Sequence, residues 1–154
     1  MSEQEVIERE VIERVWQAPI DLIWELWTTA EGIASWFGPR GFTVEVEEID
    51  LRVGGTFRYT MRATEPKAVA AMEKRGQPAS HVIVSTLTEV DPPNKLVYDS
   101  PMGPETMTTS VEFSEGPEGV KMVLVIAATK AGMTGGAVMG WESSLERFAE
   151  QLAA

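Results

Sequence analysis

The chain has 154 residues, 44% of them hydrophobic and 24% charged, a length and balance that predict one globular domain over residues 1–154, burying about 70% of the surface of its unfolded chain. Thirteen Lys and Arg against 24 Asp and Glu give a formal charge of -11, which repels phosphate backbones and argues against a nucleic-acid partner. The lack of cysteine excludes thiol catalysis, cysteine-ligated zinc and disulfides, and it suits a reducing compartment, so the cytoplasm is the expected location.

The start, Met1-Ser2-Glu3-Gln4-Glu5, lacks the basic region and apolar run of a signal peptide. The longest apolar run, Met122 to Ala128, is too short to span a membrane. Val6-Ile7-Glu8-Arg9 is echoed by Val11-Ile12-Glu13-Arg14; the segment suits a helical face or a strand, and its β-branched alternation favours a strand ending near Gln17. Pro19 then suits the first turn of a helix whose apolar stripe is Ile20, Ile23, Trp24 and Trp27. Thr28 and Glu31 stand at capping-box spacing before a second short helix carrying Ile33, Trp36 and Phe37, which Gly38-Pro39 stops.

From Phe42 the period becomes two. Phe42, Val44 and Val46 alternate with Thr43, Glu45 and Glu47, and Phe57, Tyr59 and Met61 with Arg58, Thr60 and Arg62, predicting two antiparallel strands joined through a tight primed turn at Gly54-Gly55. Residues 63–80, with Pro66, Gly76 and Pro78, read as a long excursion with about one helical turn, open between a lid, a binding loop and a disordered segment. Four more strands are expected at 81–90, 95–100, 107–114 and 120–128, separated by turn-rich clusters at Asp91-Pro92-Pro93-Asn94, Met102-Gly103-Pro104 and 115–119. A long amphipathic helix over about 133–152 places Ala137, Trp141, Leu145, Phe148 and Leu152 on one face, with Glu142, Glu146, Arg147 and Glu150 largely outside it.

The motifs for common chemistries are missing. His81 is the only histidine, with no helical histidine pair to hold a metal and no Gly-x-Ser-x-Gly elbow for a nucleophilic serine. It reads as a partly exposed residue at a strand start. Gly54-Gly55 and Gly135-Gly136 lack phosphate-loop and dinucleotide spacing, and Glu45, Glu47, Glu48 and Asp50 read as a solvated face. No cofactor or metal is expected, and no catalytic residue is assigned.

Several segments carry a family likeness: Ala18-Pro19 before the tryptophan-bearing helix, Trp36-Phe37-Gly38-Pro39, Asp50-Leu51-Arg52-Val53-Gly54-Gly55-Thr56-Phe57-Arg58, Glu89-Val90-Asp91-Pro92-Pro93 before Leu96, and Gly140-Trp141. Together with the element order they resemble the activator of heat-shock protein 90 ATPase family of the START-like, or SRPBCC, superfamily over about residues 6–153. The resemblance implies an α+β helix-grip fold: a curved antiparallel sheet of six to seven strands wrapped around the long C-terminal helix, two short helices after the first strand, and an apolar cavity between sheet and helix. It also implies a hydrophobic or amphipathic ligand, lipid- or polyketide-like. A polyketide cyclase or aromatase and a chaperone-regulator that binds protein partners stand as alternatives, and homodimerisation is left open.

The residues expected to line such a cavity are Trp36, Phe37, Phe42, Phe57, Tyr59, Met61, Tyr98, Met133, Trp141 and Leu145. Each suits core packing as well. Tyr59 points opposite Arg58 and Arg62, so only one side of its strand can join the cavity.

Overall fold

The computed structural model describes residues 7–102, 105–129 and 137–153. Seven strands form one antiparallel sheet: β1 (Ile7–Trp16), β2 (Phe42–Ile49), β3 (Thr56–Ala63), β4 (Ser80–Asp91), β5 (Lys95–Met102), β6 (Glu105–Gly116) and β7 (Gly119–Thr129). Their order is β1-β7-β6-β5-β4-β3-β2, so the meander from β2 to β7 is closed by the first strand, and β1 and β2 are the two edges. Register shifts between Val46 and Glu48 and between Leu87 and Glu89 place an extra residue in one strand of a pair, which bends a sheet and increases its twist.

Helices α1 (Ile20–Thr28) and α2 (Ala30–Trp36) follow β1, α3 (Pro66–Lys74) lies between β3 and β4, and α4 (Ala137–Ala153) closes the chain. Trp141, Leu145 and Phe148 of α4 enter the core with Ile23, Trp24, Trp27, Ile33 and Trp36 of α1 and α2 and the inner residues of the strands. The result is the helix-grip arrangement. Aromatic rings knit it together: Phe148 meets Trp16 of β1 at 5.1 Å and Trp36 at 4.9 Å, and Trp27 stacks on Trp141 at 5.7 Å with an interplanar angle of 11°.

The structure revises three local expectations. The cap of α2 is Thr29, whose hydroxyl accepts from the Gly32 N–H at 3.0 Å, whereas the Thr28 hydroxyl bonds back to the Trp24 carbonyl; two adjacent threonines offered the same chemistry one residue apart. Residues 63–80 contain the nine-residue helix α3 rather than one turn, because Ala68 and Met72 recur at helical spacing and bury against Ala63, with Phe42, Val69 and Ala79 around them.

The connection between β2 and β3 is not a two-residue primed turn but a six-residue loop over 50–55. It closes through Arg52 N–H to the Asp50 carbonyl and Gly55 N–H to the Arg52 carbonyl, each at 2.8 Å, and Gly54 and Gly55 exchange hydrogen bonds with Leu87 at the bulge of β4. The expected turn at 103–104, the Gly135-Gly136 pair and the start of the last helix before Ala137 lie outside the described residues.

Candidate functional site

Strand alternation decides which side chains face α4. The register pairs Tyr59 with Ile83 and Met61 with His81, and Ser100 with Met107 and Tyr98 with Thr109. All eight line a cavity of about 220 Å³ completed by Phe37, Gly38 and Pro39 from the segment after α2 and by Gly140, Trp141 and Ser144 from α4. Arg58 and Arg62 are exposed on the opposite face, as alternation requires.

The segment that forms the cavity wall is pinned to α4. Gly38 takes φ +94°, so the chain turns sharply there at the one residue type without steric cost. The Arg147 guanidinium Nη1 donates to the Gly38 carbonyl at 2.9 Å, the Phe37 carbonyl at 3.2 Å and the Phe42 carbonyl at 3.3 Å. The Arg40 N–H donates to Ser143 Oγ at 2.9 Å, and the Arg40 side chain pairs with Glu150 at 2.6 Å and Glu146 at 3.5 Å. Arg147 was expected largely outside the apolar face of its helix; its long side chain reaches across to carbonyls of the connection between α2 and β2, from Phe37 to Phe42.

Of the ten residues expected to line a cavity, the structure brings five together there: Phe37, Tyr59, Met61, Tyr98 and Trp141. Trp36, Phe57 and Leu145 belong to the solid core. Trp36 is fully buried, with its indole N–H donating to the Leu26 carbonyl at 2.7 Å. Phe57 packs at 4.8 Å from Tyr59 and 5.5 Å from Tyr98, behind the lining. Phe42 packs with α3 instead, and Met133 lies outside the described residues.

Sequence reasoning missed the polar lining. His81, Ser100, Thr109 and Ser144 all contribute. His81 lines the cavity as well as starting a strand, and its Nδ1 is buried with no hydrogen-bond partner among the described residues. The signal available was its cross-strand pairing with Met61, on the inward face of β3. Hydrophobicity pointed the other way, since the neighbours Val82 and Val84, exposed at 57% and 40%, occupy the outer face. Deeper in, Ser85 and Ser100 share a hydrogen bond of 2.7 Å between their hydroxyls. Among the described lining residues there is no Asp, Glu, Lys or Arg, and no group of three potential metal ligands occurs among the described residues.

Tyr59 and Tyr98 are the only tyrosines and are 7% and 3% exposed. Burial raises both pKa values; for Tyr98 the neighbouring Tyr59 adds to the rise and the Thr109 hydroxyl opposes it. The phenols thus stay protonated donors through the neutral range. The same shift predicts alkaline instability. Below about pH 10 the unfolded chain also keeps these protons, so the stabilisation is complete; above it the folded state holds more protons than the unfolded, and stability falls by up to about 1.4 kcal/mol per pH unit per tyrosine. Tyrosinate absorbance should therefore rise together with the loss of near-ultraviolet circular dichroism. A smooth titration of either tyrosine in the intact fold would contradict this burial.

Over residues 17–153 the sequence matches the family model described as Activator of Hsp90 ATPase homolog 1-like protein, while no curated protein matches it. The fold is similar to that of a Chromobacterium violaceum protein (TM-score 0.78, 22% identity, covering 95% of this chain and 97% of that one). It is also similar to a Nitrosomonas europaea protein (0.76, 20%, 94% and 94%) and to an AHSA1-like protein of Aeromonas hydrophila (0.74, 22%, 93% and 90%). No helix among the described residues is long and apolar enough to cross a membrane. With the helix-grip architecture and a family match from residue 17 to 153, the chain belongs to the Activator of Hsp90 ATPase homolog 1-like family of the START-like, or SRPBCC, superfamily.

Proposed function

We propose that this protein binds a small hydrophobic or amphipathic molecule between the sheet and α4. The observation that carries the reading is the cavity itself: apolar walls from Phe37, Met61, Ile83, Met107 and Trp141, with a few hydroxyls and one imidazole converging on the same space, which is the composition of small-molecule sites. Its volume of about 220 Å³, set against about 150 Å³ for an apolar cavity that takes benzene, matches an occupant of about ten non-hydrogen atoms. That size favours a single ring with a short chain, or one end of a longer lipid- or polyketide-like molecule. At about -0.6 kcal/mol per atom, such a ligand binds with a Kd of tens of micromolar.

Tryptophan fluorescence tests this, because Trp141 forms one wall. Titration with para-propyltoluene should give saturable, one-to-one binding; no saturable response from it or from its oxygen-bearing analogues would refute the proposal. Tyr59 supplies a phenol donor to the same space. Tyr59→Phe should weaken para-ethylanisole, whose oxygen only accepts, by about 3- to 10-fold, leave para-propyltoluene unaltered, and shift the melting temperature by no more than about 3 °C. Equal weakening of both probes would assign Tyr59 a packing role alone.

A further inference from the structure

His81 is the one feature of the cavity that packing leaves unexplained. A buried polar atom without a partner costs about 1–3 kcal/mol, and buried polar groups in folded proteins are overwhelmingly paired. Trp27 Nε1 is the other such atom among the described residues, but it sits within the aromatic core, between Trp36, Trp141 and Phe148, and Trp27 is not part of the cavity lining. His81 instead belongs to the cavity lining. The residue lies on the inward face of β4, opposite Met61 of β3, within a lining otherwise supplied with hydroxyl groups.

Those hydroxyls are Tyr59, Tyr98, Ser100, Thr109 and Ser144, and all but Tyr59 already have bonding neighbours. Ser100 bonds Ser85, Ser144 donates to the Gly140 carbonyl at 3.0 Å, and Thr109 acts on Tyr98. A neutral imidazole nitrogen that carries no proton is an acceptor only. The described lining contains no cationic Lys or Arg to neutralise an anion, the chain carries a net charge of -11, and desolvating an unpaired carboxylate is far costlier than desolvating a hydroxyl.

Resting on the ligand-binding reading above, we infer that the cavity selects an uncharged ligand bearing a hydroxyl donor, a phenol or alcohol of about ten non-hydrogen atoms, whose O–H is accepted by His81 Nδ1. The hydroxyl that donates to His81 keeps lone pairs for the Tyr59 phenol, so one ligand oxygen can serve both residues. Discrimination then follows from leaving His81 unsatisfied when the ligand cannot donate.

The test is calorimetric binding of four probes to the wild-type protein and to His81→Phe and His81→Gln. Para-propylphenol donates and accepts, its isomer para-ethylanisole only accepts, para-propyltoluene does neither, and para-propylbenzoate is anionic. The wild type should prefer the phenol over the anisole by about tenfold and bind the benzoate more weakly than either. His81→Phe should bring phenol and anisole within about twofold while keeping the affinity for para-propyltoluene, which also reports that the fold is intact; His81→Gln, which retains an acceptor, should recover part of the preference. Equal wild-type affinities for phenol and anisole, or a phenol preference that persists in His81→Phe, would overturn the assignment to His81 while leaving the cavity a binding site. Failure of all four probes would overturn the binding reading instead.

Discussion

Trp141→Ala is expected to lower the unfolding free energy by about 3–5 kcal/mol, the range for truncating a large buried aromatic. The indole is 9% exposed and sits where three elements meet: it stacks on Trp27 of α1, and it contacts Phe37 at 5.3 Å in an edge arrangement and Trp36 of α2 at 6.3 Å. Removing it withdraws apolar burial and three aromatic contacts at once, and the surrounding rings are too constrained by one another to collapse into the space. Because the same ring walls the cavity, the variant that survives should accept probes several atoms larger than para-propylphenol. Urea unfolding followed by circular dichroism measures the loss. A change below about 1 kcal/mol would show that the stack is dispensable and that Leu145 and Phe148 supply the aromatic and aliphatic packing of α4 without it.

Gly55→Ala should cost about 3 kcal/mol, the upper part of the range for forcing atoms into filled space. A Cβ on Gly55 would lie 1.9 Å from the Asp50 carbonyl oxygen and 2.9 Å from that of Arg52. Both are backbone atoms fixed by the hydrogen bonds that close the 50–55 loop, and Gly55 also accepts from Leu87 N–H at 2.9 Å, so the loop cannot move without disturbing β4. Gly54→Ala is the natural control. Gly54 takes φ +85° but a Cβ there meets nothing within 4 Å, so only the left-handed conformation is penalised, by about 1–2 kcal/mol. Equal losses for the two variants would mean that the loop relaxes and the close approach carries no weight.

Much of this architecture was legible because the hydrophobic period was unambiguous where one face is buried and the other solvated. The alternation of Phe57, Tyr59 and Met61 with Arg58 and Arg62 set both the strand and its inward face, and the stripe Trp141, Leu145 and Phe148 set the buried side of α4. Helix α3 was obscured because its buried side is small, essentially Ala68 and Met72, and so gives little periodic contrast. In β4 both faces carry apolar residues, Ile83 inside and Val82 and Val84 outside, so composition could not fix the phase that puts His81 in the cavity. The division between lining and core was unreadable for a different reason: Phe57 and Tyr59 share a strand face and differ only in what α2 and α4 place opposite them. Arg147 likewise reveals its role only when the carbonyls of the connection between α2 and β2 are brought to it.

The central claim, a ligand site between the sheet and α4, is tested most directly by carbon-13 labelling of the methionine methyl groups and titration with para-propylphenol. Met61 and Met107 line the cavity, Met122 lies in the main core against the Trp16 indole, and Met72 packs under α3 in a separate cluster. Saturable shifts at the Met61 and Met107 methyls, with Met72 unmoved, are the predicted result. Shifts absent from Met61 and Met107, or spread equally to Met72, would contradict it.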